Sequence, residues 1–218
     1  MKKAIALLWL FIALIITGCS SLDREESSTV NIHFAEPNRI QFQGKGAGAG
    51  IALMSTMGPV GIALGVAIDE GIAKDIRGAA STDGFDMQLQ FSQSIDKQSQ
   101  KEWRAVFIDG ISASSSLKRE FPYIEVKRYG FKTTGGADDA TSAELVVLVN
   151  ISKNEQFEYH FPNDFIVIEE GKNNRDIPSH PLAELKINGE LSVSLMEHAV
   201  DSVIGKVTEQ NLQHLSDL

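Results

Sequence analysis

The sequence predicts an α/β (α+β) fold: a mixed sheet of about four to six strands with helices packed on it, preceded by a Gly/Ala-rich helical hairpin. Three observations predict it. Residues 85–91 and 185–195 alternate apolar and polar side chains, as strands with one buried face do. Residues 143–151 form a nearly continuous apolar run, typical of a central strand. Apolar residues recur at helical spacing over 99–118 and from residue 196 to 207.

The N-terminal residues have the three-part pattern of a secretory signal. Lys2 and Lys3 precede an unbroken apolar run over 4–16, and small residues then lead to Cys19, the only cysteine of the chain. A thiol is a good nucleophile for alkylation by a lipid donor. A permanent transmembrane anchor, or a cleaved signal followed by an unrelated cysteine, are the two alternatives.

Residues 16–19, Ile-Thr-Gly-Cys, resemble the lipobox of bacterial lipoproteins, with Ile where Leu is usual. The resemblance implies that residues 1–18 are removed as a signal peptide, that Cys19 receives a diacylglycerol thioether, and that its new amino terminus is acylated, for example with palmitate. In that family Asp after the cysteine retains the protein in the inner membrane. Ser20 occupies this position and therefore implies the outer membrane, with the protein facing the periplasm.

Two short segments follow the signal. Residues 19–29 are polar and charged and predict a flexible tether between the lipid and the folded body. Residues 30–43 predict a short strand pair, because 30–34 and 40–43 alternate in polarity. Pro37 and Asn38 lie between them and indicate a turn, so a small hairpin is expected.

Residues 44–78 form an unusual Gly/Ala-rich segment with no charge between Lys45 and Asp69. Its small residues have the spacing that lets helix backbones approach closely, and Pro59 interrupts it. We expect two short helices, near 48–57 and 60–75. The segment resembles the glycine-zipper element of bacterial envelope lipoproteins and surface antigens. The helix-association residues that it predicts are Gly46, Gly50, Gly58, Gly61, Gly65 and Gly71.

Three interpretations of this segment stay open. It inserts into a bilayer, it packs against copies of itself or a partner protein, or it forms a buried apolar helix pair within the domain. Either half alone is closer in length to a core helix than to a membrane span. An apolar patch of this size is seldom left exposed on a soluble monomer.

Residues 81–218 predict one periplasmic α/β domain. A closing helix from residue 196 is the first choice, and a hairpin turning at residues 201–202 is the alternative. The order of elements and the apolar run after the second strand resemble the periplasmic lipoprotein domains of the curli-secretion and penicillin-binding-protein-activator kind. The predicted elements, in order, are a strand at 85–91, a helix at 99–118, a strand at 123–129, a polar loop at 135–141, and strands at 143–151, 157–161, 165–168 and 185–195.

No stretch of the sequence has the spacing of a known catalytic or metal motif. The five histidines, His33, His160, His180, His198 and His214, do not pair at metal-ligand spacing on a predicted helix. His160 and Asp164 are the nearest constellation, but Pro162 puts them on a turn, where a surface pair is expected. Residues 110–114 lack the last glycine of a nucleophile elbow. We therefore predict no enzyme activity, no cofactor and no metal.

A formal net charge of -9 argues against binding to nucleic acid. The combined features predict a lipid-anchored outer-membrane lipoprotein that acts as a non-enzymatic adaptor or assembly component in the periplasm. Its partners would be the membrane, through the lipid, and a protein or a second copy, through the glycine-rich segment. The alternative is a membrane-inserting, pore-forming or oligomer-forming protein that uses the Gly/Ala-rich hairpin. An envelope hydrolase is the third and least supported possibility.

Overall fold

The chain forms a mixed α/β structure in which helices pack on a seven-stranded sheet. The computed structural model describes residues 28–37, 39–44, 59–100, 103–108, 122–135, 138–152, 154–165 and 177–216. The strands are β1 (Ser28–Phe34), β2 (Gln41–Gln43), β3 (Trp103–Ile108), β4 (Tyr123–Gly135), β5 (Ala140–Asn150), β6 (Gln156–Phe161) and β7 (His180–Pro181). The helices are α1 (Pro59–Thr82), α2 (Met87–Gln98), α3 (Leu182–Leu185) and α4 (Gly189–Ser216), with a 3-10 turn at Asn163–Phe165.

The sheet order is β3-β1-β4-β5-β6, and it mixes parallel and antiparallel pairs. β1 runs parallel to both β3 and β4, whereas β5 runs antiparallel to β4 and β6. β2 also pairs parallel with β4, along the second half of that strand. β7 pairs with the first residues of β5. β4 therefore carries β1 and then β2 on one edge and β5 on the other.

The helices of the described part cover one face of the sheet. Phe34 at the end of β1 meets Phe91 of α2 edge-on, with ring centroids 5.8 Å apart. Phe161 of β6 meets His198 of α4 in the same way at 5.9 Å. α2 and α4 are joined by the ion pair of Lys97 Nζ with Asp201 Oδ2 at 2.5 Å, which raises the pKa of Lys97. One continuous apolar core lies between the helices and the sheet.

The strand predicted at 85–91 is wrong, because these residues begin a helix. Asp86 is the N-cap of α2, and its carboxylate accepts a hydrogen bond from the backbone N–H of Leu89 at 3.0 Å. The buried positions of α2 have a helical period, not a strand period, and Leu89 is exposed. They are Met87, Gln90, Phe91, Ser94 and Ile95.

The strand predicted at 185–195 is also wrong. Leu185 ends α3, and α4 begins at Gly189, so most of the segment is helical. Of the alternating residues in its second half, Leu195 is buried whereas Leu191 and Val193 are only partly buried. The predicted helix from residue 196 is confirmed, and the alternative hairpin at 201–202 is wrong. The core face of α4 comprises Leu195, Met196, Ala199, Val200, Val203, Ile204 and Val207.

The predicted helix at 99–118 is wrong at its described residues. Residues 99–100 form a turn, and 103–108 form β3, which pairs with β1 in a parallel register from Ser28 opposite Trp103. Residues 109–121 lie outside the described part. The predicted hairpin of β1 and β2 is wrong, since each pairs with β4 instead of the other. The predicted polar loop at 135–141 is shorter, because β4 ends at Gly135 and β5 begins at Ala140.

The strands predicted at 123–129, 143–151 and 157–161 are confirmed as β4, β5 and β6. β5 is an interior strand, as its apolar run indicates, and its residues 141–147 are all buried. The predicted strand at 165–168 begins in the 3-10 turn, and the rest of it lies outside the described residues. Within the Gly/Ala-rich segment, the helix expected near 60–75 is α1, and that expected near 48–57 lies outside the described residues.

Candidate functional site

The predicted site residues fall into two groups. Cys19 lies outside the described residues, as do the first three predicted helix-association glycines, Gly46, Gly50 and Gly58. Gly61, Gly65 and Gly71 all lie in α1. Gly65 is buried, whereas Gly71 is exposed and a Cβ atom there would have no other atom within 4 Å.

The second half of α1 is part of the core. Ala73, Ile76 and Ala80 are buried at the spacing of one helix face. Polar contacts hold α1 beside β2 at two points. Arg77 Nη2, in the second half, donates to the carbonyl oxygen of Ile40 at 2.9 Å, and the backbone N–H of Gly44 donates to Oδ2 of Asp69, near the middle of the helix, at 3.4 Å. This half of α1 is therefore buried in the domain, whereas the second helix of the predicted pair, near 48–57, lies outside the described residues.

The first half of α1 extends past the core. Val66 lies two turns before Ala73 on the same side of the helix, yet Val66 is 64% exposed and Ala73 only 1%. Ile68 is 51% exposed, and Ala63 and Ala67 are exposed as well. The apolar face that packs at Ala73 thus continues into solvent at the beginning of the helix.

This exposed end lies far from the beginning of β1. β2 runs parallel to β4 and pairs with its second half, from Gln41 opposite Gly130. Gly44, which follows β2, therefore lies at the end of the sheet where β4 has its C-terminal residues. Asp69 contacts Gly44 there, and Pro59 begins the helix ten residues earlier, about 15 Å further along its axis. Ser28 lies at the opposite end of the sheet. The apolar first half of α1 therefore points away from the end at which the chain enters the fold.

A cleft of about 550 Å³ lies beside α1, between the end of β1 and the beginning of α2. The rings of Phe34, Phe85 and Tyr129 line it. Phe85 stacks on Tyr129 with centroids 6.4 Å apart, and Phe34 meets Tyr129 edge-on at 6.2 Å. Arg77 and Asp86 bring two opposite charges to the same cleft. Its volume is in the range of small-ligand sites.

The path of the chain between β1 and β2 produces this cleft. β1 pairs with β4 as far as Phe34 opposite Val126, and β2 resumes the pairing at Gln41 opposite Gly130. Pro37 and Ile40, which lie on the connection that leaves the sheet between them, line the cleft. The cleft is therefore the space that this excursion leaves over Tyr129.

The charges around the cleft are unevenly balanced. Arg77 has Glu70 at 3.8 Å, and Arg39 has Glu36 at 3.2 Å and Glu70 at 3.8 Å. Asp86 has no cationic partner among the described residues, and it accepts the hydrogen bond from Leu89 through Oδ1. Of the two charged residues that line the cleft, Arg77 has an ion-pair partner among the described residues and Asp86 has none.

Among the remaining ionisable groups, the His160 turn is exposed and the Arg128–Glu144 pair is partly buried. The backbone N–H of His160 donates to Asp164 Oδ2 at 2.7 Å, and the His160 ring lies 3.2 Å from Glu158 Oε1, so this pair forms a turn, as predicted. Arg128 pairs with Glu144 at 3.0 Å across β4 and β5. Within the described ranges, no three His, Cys, Asp or Glu side chains lie close enough together to hold a metal ion, and no helix is long and apolar enough to cross a membrane.

Tyr159 is a buried phenol with a raised pKa. Burial against α4, and the negative charge of Asp164, raise its pKa to about 12. Its hydroxyl donates to Oε1 of Gln210, and Lys206 Nζ lies 5.6 Å from the centre of its ring. These contacts join β6 to α4, so Tyr159 is a packing residue.

The fold and the cleft define the class of the chain: a mixed α/β domain with an aromatic cleft beside a partly exposed helix. No protein-family model, curated protein or solved structure matches it.

Sequence reasoning missed the cleft. Phe34, Phe85 and Tyr129 are far apart in the chain, and three of the elements around the cleft were assigned to the wrong type or pairing. One local signal was available, since Gly84 and Asp86 are a loop residue and a good N-cap immediately before residue 87. This N-cap signal indicates that a helix begins at residue 87, whereas the alternating pattern over 85–91 indicates a strand.

Proposed function

We propose that the chain is a lipid-anchored outer-membrane lipoprotein that serves as a non-enzymatic adaptor or assembly component on the periplasmic side. The lipobox at residues 16–19 supports the anchor. Eight residues separate Cys19 from Ser28, and an extended chain of that length reaches about 30 Å at most. The lipid would therefore hold the Ser28 end of the sheet close to the membrane surface.

The observation that carries the adaptor role is the exposure of Val66 and Ile68 at the opposite end of the sheet. An apolar surface presented away from the anchor is suited to contact a second protein rather than the membrane that holds the lipid. Gly71 lies three residues after Ile68, at the middle of α1, and leaves open space on its surface, which permits close approach of another helix.

The helical hairpin is part of this proposal. Gly44 lies beside Asp69, and Pro59 begins α1 about 15 Å away along the helix axis. A helix over 48–57 would span about the same distance. Such a helix would run antiparallel to the first turns of α1 and would add Gly50 to the same surface, with Gly46 and Gly58 just beyond its two ends.

The anchor is tested by Cys19→Ala in a Gram-negative host. We expect the parent chain, with Cys19, in the outer-membrane fraction and the variant in the soluble periplasmic fraction. Several acyl chains hold a protein on a membrane far more firmly than one apolar patch does. Ser20→Ala is the control and should stay in the membrane. A Cys19→Ala variant that remained in the outer-membrane fraction would contradict the lipid anchor and favour insertion of the glycine-rich segment.

The adaptor role is tested by photo-crosslinking in intact cells. A photoreactive amino acid at position 66 should give adducts of defined mass with a protein or with a second copy of the chain. The same amino acid at Ser194, which is exposed on α4, is the control and should give none. If position 66 yields only the monomer under conditions in which the chain is membrane-bound, the adaptor proposal fails.

The alternative proposal, membrane insertion or pore formation, has the same exposed apolar residues in its favour. It predicts that the full chain releases an encapsulated dye from vesicles of outer-membrane phospholipids, and that Val66→Asp prevents the release. Vesicles that stay intact at saturating protein would eliminate it.

A further inference from the structure

The cleft between the end of β1 and the beginning of α2 has the composition of a cation-binding site. Three aromatic rings are part of its lining, and the faces of such rings attract cations. Phe85 is only partly buried, and its neighbour Asp86 is exposed at the same margin of the cleft. A carboxylate and the face of a neighbouring, partly exposed ring both attract the same positively charged group.

The charges decide which ligand fits. Arg77 is already engaged through Nη2, which donates to the Ile40 carbonyl and lies 3.8 Å from Glu70, whereas its buried Nε has no hydrogen-bond partner. An anionic ligand would have to compete with Glu70 for Arg77. It would also meet Asp86, whose carboxylate occupies the N-terminal end of α2, where an anion would otherwise be favoured. A cationic ligand meets no such competition at Asp86, which has no cationic partner in the described part of the chain.

We propose that this cleft binds an arginine side chain, flanked by apolar residues, from an extended segment of a partner protein. The guanidinium stacks over Phe85 and pairs with Asp86, because arginine combines a planar face with a permanent positive charge. The apolar neighbours contact Phe34, Ile40 and Pro37 at the other side of the cleft. The preference for a cation rests on the cleft alone. The choice of a protein as its source rests on the proposed adaptor function.

The test uses the full-length chain in lipid nanodiscs and three fluorescein-labelled, end-capped peptides: Ala-Leu-Arg-Leu-Ala and the same peptide with Glu or Ala in place of Arg. Binding is measured by fluorescence anisotropy. We expect the Arg peptide to bind at least about tenfold more tightly than the other two. Its affinity should fall as salt is raised, as for any exposed ion pair.

Two carboxylate variants locate the binding. Asp86→Asn removes the charge and keeps a good N-cap, so α2 is retained. It should lower the affinity for the Arg peptide about tenfold and leave the affinity for the Ala peptide unchanged. Asp96→Asn is the matched control, because Asp96 is an exposed carboxylate of the same helix outside the cleft lining, and the Arg peptide should bind it as tightly as the parent chain. Phe85→Leu tests the ring, and it too should weaken the Arg peptide.

Several results would overturn the proposal. Equal weakening by Asp96→Asn and Asp86→Asn would show attraction to the acidic surface in general. Tighter binding of the Glu peptide would identify an anion site at Arg77. Equal binding of the Arg and Ala peptides would show an apolar groove without charge selection. These results concern the purified chain, so they are distinguishable from failure of the anchor or of crosslinking at position 66.

Discussion

A Cβ atom at position 130 would lie 1.9 Å from the carbonyl oxygen of Gln41, so Gly130 of β4 and Gln41 of β2 approach within a distance that only glycine allows. This approach is where the chain rejoins the sheet after its excursion from β1. The contact fixes the position of Ile40, and hence one side of the cleft. The cleft thus depends on a backbone contact between two strands that are far apart in sequence.

Gly130→Ala should destabilise the fold. The added methyl group meets backbone atoms that no side-chain rotation can move, and overpacking of this kind costs about 1–3 kcal/mol. The free energy of unfolding in urea measures it. Gly78→Ala is the control, since no atom lies within 4 Å of its added Cβ, and replacing a helical glycine should stabilise by up to about 1 kcal/mol. Equal stability of Gly130→Ala and the parent would contradict the β2–β4 register.

Asp86→Ala should weaken α2. The carboxylate satisfies the N–H of Leu89, and the loss of an N-cap side chain costs about 1 kcal/mol. Asp86→Asn should cost much less, because asparagine accepts the same hydrogen bond. The two variants are compared by urea unfolding. Identical stability of the Ala and Asn variants would mean that the cap contributes nothing.

If residues 185–195 were a strand, Ser192 and Ser194 would both lie on its exposed face. In the helix the two serines differ in burial. Ser192 is fully buried, and Ser194 is exposed. Ser192→Asp should therefore destabilise by about 3 kcal/mol, since it buries an unpaired charge. Ser194→Asp should change stability by less than about 0.5 kcal/mol. Thermal unfolding of both variants measures the difference, and equal effects would support the strand after all.

The stability of the chain should fall as the pH rises between about 10 and 12, in part because of Tyr159. The folded-state pKa is raised to about 12 from 10.0, so in this range the unfolded chain has lost the phenol proton that the folded chain retains. Stability then decreases by up to about 1.4 kcal/mol per pH unit.

The measurement compares the parent chain with Tyr159→Phe by urea unfolding at pH 8, 10 and 11. The variant loses the hydrogen bond to Gln210 and should be less stable at pH 8 by about 1 kcal/mol. Its stability should nevertheless decline less steeply above pH 10. Parallel pH profiles for the two proteins would show that Tyr159 does not titrate differently on folding.

Part of the fold could be predicted from the sequence because two of its signals fit one type of element better than the other. The apolar run of β5 is rich in β-branched valine, which favours a strand, and the apolar positions of α4 recur at helical spacing over about three turns. Residues 85–91 and 185–195 alternate in polarity, but several of their apolar positions also fit a helix. In α2 the choice is made by Phe91, which packs against Phe34 of a strand 57 residues earlier.

The sequence by itself determined that the chain is a mixed α/β protein, and it carries the lipobox pattern around Cys19. Periodicity and local chemistry are properties of neighbouring residues, so they can be read without a structure. Only the tertiary structure decided that β1 and β2 both pair with β4, that the first half of α1 leaves the core, and that Phe34, Phe85 and Tyr129 surround one cleft. These features depend on contacts between residues distant in the chain, and local patterns contain no information about them.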